Sequence, residues 1–174
     1  MGVEYDFFVR TSDKEKHYKG AIALWNKLKE NGHLEKRTYT ALYCIGCESF
    51  KTEKDLNEKG ECPDHQKAPE TVEEENYFFK LSKYTDQIKE AVVTGKMSIV
   101  PETRKNEILA LLDRGLEDVS FSRPTSKVSW GIPVPGDESQ VMYVWCDALS
   151  NYITAIGYGT EAFDEERWKD TTHI

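Results

Sequence analysis

The sequence of 174 residues has no long apolar run. Its longest, GAIALW at 20–25, falls far short of the roughly 20 apolar residues that span a bilayer, so no membrane segment is expected. Positive charge is in deficit: 23 Lys and Arg face 31 Asp and Glu, for a formal net charge of -8. Nucleic-acid binding by bulk electrostatics needs clustered Lys and Arg, and this balance argues against it, leaving room only for a local basic patch. No secretory leader is expected either, because MGVEYDFF places Glu4 and Asp6 where positive charge and an apolar stretch belong. A soluble, reducing, cytoplasmic setting is the expectation. Cysteine is scarce at four, three of them closely spaced and the fourth, Cys146, set in the apolar run YVWCDAL, an arrangement that favours a metal over two disulfides. What remains is 39% hydrophobic, 11% aromatic and 31% charged residues, the make-up of a globular domain. The length suits one domain, or one domain carrying a small inserted module.

Aromatics and Val in EYDFFVRTS (4–12) predict a strand. The following helix is predicted from a Ser12-x-x-Glu15 capping box to Asn31-Gly32, with Ala21, Leu24, Trp25 and Leu28 on one buried face. KRTYTALYC (36–44) reads as a strand, NYFFKL (76–81) as a strand or turn, and SKYTDQIKEAVVTG (82–95) as a helix. Pro101 opens another helix, in which Ile108, Leu111 and Leu112 repeat at helical spacing. Beyond Gly115 short β-type runs alternate with Pro and Gly turns, and Gly136-Asp137 predicts a tight loop between IPVP and a strand QVMYVW. DALSNYITAIG then reads as a helix. Strand and helix at both ends, with a separate module between them, predict an α/β layer interrupted by an insertion, its two ends sharing a core.

The stretch LYCIGCESFKTEKDLNEKGECPDHQ (42–66) carries Cys44-x-x-Cys47 and Cys62-x-x-His65. Two ligands separated by two residues on a tight knuckle can both reach one ion, and two knuckles complete the tetrahedron that zinc prefers, with Zn–S near ~2.3 Å. Cys44, Cys47, Cys62 and His65 would thus form a closed Cys₃His site, structural because no coordination position is left for water. Iron is the less apt ion for a set with one His. Gly46, Gly60 and Pro63 would shape the two knuckles. A redox role for Cys44 and Cys47 alone leaves Cys62 and His65 unexplained. Read without any relative, Trp145 is a core residue, Tyr152 a helix-packing residue, Asp147 a helix cap and Arg123 a surface or loop-anchoring charge.

Five stretches taken in order resemble the methionyl-tRNA synthetases, a family of class I aminoacyl-tRNA synthetases. FFVRTSD (7–13) resembles the family's Phe-x-Arg-Thr-Thr segment, and YTALYCIGCESFKTEKDL with CPDH its zinc knuckle. EEENYFFKLSKY, SRPTSKVSWGIPVP and VMYVWCDALSNYITAIGY are similar to a strand of the connective peptide, its return to the core, and a strand and helix of the second nucleotide-binding half. The resemblance implies a partial Rossmann-type catalytic core interrupted by a zinc-knuckle connective-peptide insertion. Residues 1–35 would belong to the first Rossmann half, 36–120 to the connective peptide and 121–174 to the start of the second half. It implies a methionine pocket formed by Trp145, Ala148 and Tyr152, with Arg123 near the reacting groups. Structural zinc, ATP with Mg, methionine and the acceptor arm of tRNA(Met) are the implied cofactor, substrates and partner, together with the catalytic and anticodon-binding segments of a parent chain.

Cys146 stands where that family has Phe or Leu, a small change of volume. The HIGH motif, the GKDI segment and the KMSKS loop do not occur in the sequence. Because those segments stabilise charge on the phosphates during adenylate formation, the expectation is a catalytically inactive fragment of a methionine-tRNA ligase. The insertion is too short for the hydrolytic editing domain of related synthetases. A stand-alone zinc-stabilised module that binds tRNA or a protein, without catalysis, is the alternative.

Overall fold

The computed structural model describes residues 4–5, 8–47, 49–169 and 171–173. The fold is mixed α/β and divides into two compact units. The smaller comprises Lys36–Asn76, and the larger joins the segment before it to the segment after it. The chain passes between them along β1 (Leu34–Cys44) and β3 (Glu70–Phe79).

In the larger unit the strand expected over 4–12 does not form: residues 4–5 and 8–10 pair with no other strand, and residues 6 and 7 lie outside the described residues. Tyr5 and Phe8 are well exposed. β-propensity expresses fit to a paired surface, and among the described residues no strand pairs with this segment. The helix cap is Asp13 rather than Ser12, its carboxylate accepting from the amides of Glu15 and Lys16. A π-helical turn, Lys14–Tyr18, leads into α1 (Lys19–Glu30), which ends where Gly32 takes the positive φ of 70°. Ala21 and Trp25 of α1 are fully buried in one cluster with Phe121, Ile132, Val134, Met142 and Cys146, so the two ends of the chain do share a core.

After β3, α2 (Thr85–Val93) and α3 (Glu102–Arg114) pack on each other. Of the predicted α3 face only Leu112 is buried, whereas Ile108 is 36% and Leu111 41% exposed. A seam against one neighbouring helix covers a narrower stripe than a full core face. β4 (Val119–Ser120) pairs antiparallel with the end of β3. β5 (Ser122–Pro124), β6 (Pro133–Val134) and β7 (Asp137–Met142) form a sheet of order β5-β7-β6 with antiparallel pairing. Pro135 and Gly136 close the predicted turn between β6 and β7; proline fixes φ at the first position and Gly136 supplies the φ of 79° that a type II turn requires at the second.

β7 stops at Met142, earlier than predicted, and Val144 already begins α4 (Val144–Thr154). Trp145 is therefore in the first turn of a helix, and Asp147 lies inside that turn rather than capping it. A short helix, α5 (Glu165–Lys169), follows.

In the smaller unit β1 and β2 (Ser49–Lys51) form a hairpin with Leu42 opposite Lys51 and Cys44 opposite Ser49. Thr52 and Asp55 close a reciprocal cap over the next turn. The outgoing strand is tied to the incoming one by the ion pair Lys36–Glu75 at 2.7 Å. Among the described residues, no helix is long and apolar enough to cross a membrane.

Candidate functional site

The hairpin turn between Cys44 and Ser49 carries Cys47 beside Cys44. Cys62–Lys67 closes the second knuckle, where the Cys62 amide donates to the Lys67 carbonyl at 2.9 Å and the Gln66 amide to the Cys62 carbonyl at 2.8 Å. Gln66 holds a φ of 49° to complete this tight return. One ligand atom from each of Cys44, Cys47, Cys62 and His65 then lies within 4.8 Å of all the others. His65 Nδ1 stands 3.8 Å from Cys44 Sγ, 3.3 Å from Cys47 Sγ and 3.8 Å from Cys62 Sγ, and Cys47 and Cys62 Sγ are 3.5 Å apart. The edges of a tetrahedral zinc–thiolate site measure about 3.8 Å, so the four residues are placed to hold such an ion. Gly46 is part of the fit for a reason the sequence does not reveal: a Cβ there would lie 2.3 Å from His65 Cδ2.

The thiols show why a cation belongs among them. The hydrogen bond from His65 draws the Cys62 thiol down to about 6. Its hydrogen bond with Cys62, reinforced by desolvation and by Cys44, pushes the Cys47 thiol up to about 11. One proton leaves the pair readily and the next is held by the negative charge already present. A metal ion offsets that charge, and thiolates are the form it binds.

In the larger unit, α4 is turned with its apolar residues outward. Trp145 (49% exposed), Leu149 (50%) and Tyr152 (49%) share one face with Ala148 at the spacing i, i+4, i+7 and i+3. The packing role suggested for Trp145 by composition alone is thus not the observed one. The opposite face buries Cys146, Ser150 and Thr154, small or polar side chains. The Tyr152 ring meets the His173 ring edge-on at 4.8 Å. Arg123 stands before α4 with its guanidinium 3.9 Å over the Tyr143 ring, donating to the Ser120 hydroxyl and to the Ser122 carbonyl. These three contacts fix the direction of a cation that is only partly buried.

Sequence reasoning missed His17. It is fully buried, with Nε2 2.8 Å from Asp147 Oδ1 and Nδ1 2.9 Å from Thr154 Oγ1. The available signal was on α4 itself: Asp147, Ser150 and Thr154 fall at i, i+3 and i+7, a polar stripe opposite the aromatic one, and a buried polar stripe needs a partner.

An α/β unit presenting an apolar helix face, in a chain that also carries a Cys₃His clip on knuckles, has the make-up of a class I aminoacyl-tRNA synthetase. The chain belongs to the methionine family of that class, whose model, tRNA synthetases class I (M), matches residues 1–68 and 65–172. It is 48% identical to the methionine-tRNA ligase of Clostridium perfringens and 45% identical to that of Thermotoga maritima, in both cases over 100% of this chain and 27% and 28% of the relative. The chain therefore spans about a quarter of the length of the curated relatives it matches. Among solved structures, Mycobacterium tuberculosis methionyl-tRNA synthetase bound by methionyl-adenylate is similar with a TM-score of 0.74 and 33% identity, over 93% of this chain and 33% of that one. Its free form is similar with a TM-score of 0.71 over 92% of this chain and 33% of that one.

Proposed function

We propose that this chain is the part of a methionine-tRNA ligase that supplies the methionine-facing helix and a zinc-stabilised module. The observation that carries the reading is the outward face of α4, where Trp145, Ala148 and Tyr152 stand together. Aromatic rings and a small residue suit a thioether, because sulfur packs well on ring faces and edges and Ala148 leaves room beside them. Arg123 is the charge assigned to the reacting groups, held in direction by Tyr143 and Ser120 so that little reorganisation accompanies its use. In the whole enzyme methionine would be activated with ATP and Mg and then transferred to tRNA(Met). Cys44, Cys47, Cys62 and His65 would hold the zinc, which supplies folding energy and leaves the chemistry to other residues. We assign residues 1–35 to the first Rossmann half, 36–120 to the connective peptide lying by the tRNA acceptor arm and 121–174 to the start of the second half, in a cytoplasmic enzyme that also has further catalytic and anticodon-binding segments.

Calorimetric titration of the purified chain with methionine tests the pocket. The expected result is weak saturable binding that falls about 5- to 10-fold in Trp145→Ala or Tyr152→Ala. Heat changes that do not saturate, or that are the same in both variants, would remove these residues from a methionine site. Elemental analysis of the same sample should give one zinc per chain, and pyrophosphate exchange should be absent because no HIGH or KMSKS segment lies within the 174 residues.

A further inference from the structure

We infer that His17 is a positioning residue that sets the rotation of α4, and so presents Trp145, Ala148 and Tyr152 outward as one face. Burial within this chain does not by itself account for this rotation: Val144, Trp145, Leu149 and Tyr152 are all about half exposed, while Cys146, Ser150 and Thr154 are buried. Nor does the helix start fix it. The N-cap residue, Tyr143, makes no side-chain cap hydrogen bond, and the first-turn amides of Cys146 and Asp147 reach only the Tyr143 carbonyl.

The His17 ring meets two points on the helix, Asp147 in the first turn and Thr154 at its end. They are seven residues apart, about 10 Å along the axis and on the same side of it. Two contacts so spaced resist rotation of the helix about its axis as well as lifting of either end. A carboxylate only accepts, so Nε2 carries the hydrogen donated to Asp147, and Nδ1 is left for the Thr154 hydroxyl. The ring reaches both because the backbone beside it comes in close: a Cβ on Gly20 would lie 2.4 Å from Thr154 Cγ2 and 2.5 Å from the Tyr158 carbonyl oxygen. Asp13 sets the base of the same device, its cap fixing the π-helical turn that carries His17. The inference depends on the proposed methionine site only for the identity of the ligand on the outward face.

The two ring nitrogens can be removed one at a time. In His17→Gln the amide nitrogen stands near the place of Nε2, and in His17→Asn near that of Nδ1. Amide hydrogen exchange is measured at 145–149, with 24–28 of α1 as the internal reference in the same core. The expected result is that His17→Asn speeds exchange at 145–149 on the order of 10-fold relative to His17→Gln, with 24–28 alike in the two. Thr154→Val, which leaves the ring in place, should speed exchange at 151–154 and leave 145–149 protected. In protein labelled with 5-fluorotryptophan, the Trp145 resonance should shift in His17→Asn while that of buried Trp25 holds. Equal exchange in the Gln and Asn variants, or loss spread evenly over α1 and α4, would overturn the inference and leave His17 as a general core residue. If the Asn variant does not fold, Thr154→Val decides, because loosening of 145–149 by that change contradicts two separate contacts. Methionine titration of the unmodified chain stands apart: failure to bind withdraws the ligand from the face, while the exchange comparison still decides the role of His17.

Discussion

Cysteine chemistry in this chain is set residue by residue. Cys146 is 1% exposed in the core, its Sγ 3.9 Å from Met142 Sδ, and burial followed by the nearby Asp147 charge pushes its thiol up to about 12. In the folded knuckle the His65 hydrogen bond instead draws the Cys62 thiol down to about 6. Removing the metal should open the knuckles and release Cys44, Cys47 and Cys62, so alkylation of metal-stripped protein at pH 7.5 should mark these three and leave the buried, high-pKa Cys146 untouched, because the thiolate is the nucleophile. Peptide mass spectrometry after a timed iodoacetamide pulse reads the outcome, and early label on Cys146 would contradict its burial. Gly46 gives a second test. Its missing Cβ is the space the His65 ring occupies, so Gly46→Ala should displace one of four ligands and weaken metal binding on the order of 10- to 100-fold, the range seen when ligand support is lost. Competition with a chromophoric chelator measures it.

At the scale of elements, α1 comes in close against the end of α4 and the loop after it, where a Cβ on Gly20 would lie 2.4 Å from Thr154 Cγ2. Gly159 adds to it, its Cα-attached space lying 2.8 Å from the Gly20 Cα and 3.0 Å from the Lys19 carbonyl oxygen. Gly20→Ala should therefore force the two helices apart at a cost of about 1–3 kcal/mol, the usual range for overpacking, read as a lower denaturant midpoint with unchanged slope. Much of this architecture was legible in the sequence. The α1 stripe of Ala21 and Trp25, the stop at Gly32, the turn at Gly136 and the paired knuckle spacing all state their structure locally, through period, positive φ or ligand geometry. Three readings failed where the deciding partner is remote. The segment 4–12 has strand-forming residues and, among the described residues, no strand paired with it; α3 has a helical repeat and only a narrow seam to bury it; and α4 has polar residues inside because His17, 130 positions away from Asp147, receives them. Of the candidate residues, the four metal-ligand positions and the Trp145–Ala148–Tyr152 face came from spacing and family resemblance, whereas no local pattern in Lys14–Tyr18 marks His17.

For the whole molecule, the two units differ in what can hold them together. The larger one has an apolar cluster running from Ala21 and Trp25 to Met142 and Cys146. Among the residues of Lys36–Asn76 whose side chains are described, which leaves out 48–50, the buried apolar positions are Ala41, Cys44 and Cys62, and two of those three are candidate metal ligands. A unit of about 40 residues is at the size where a metal or a disulfide is ordinarily needed to offset the chain entropy lost on folding. The metal centre is thus a large share of the apolar burial described in this unit, and a structural zinc can contribute on the order of 10 kcal/mol to such a fold. Removing metal should then act unevenly. With a strong chelator, amide protection is expected to collapse through β1, β2 and the Cys62–Lys67 knuckle, while α1, α4 and the β5-β7-β6 sheet keep theirs. Acid should reproduce the effect, because the bound form needs thiolates: with the Cys47 thiol pushed up to about 11 and the Cys62 thiol drawn down to about 6, protons compete with the metal increasingly as pH falls, and most steeply once Cys62 is protonated too. Hydrogen exchange with mass spectrometry, run at pH 7.5 with and without chelator, separates the outcomes. Simultaneous loss in both units would mean that the metal holds the larger core as well, and no loss in either would mean that β-hairpin pairing alone carries the smaller one.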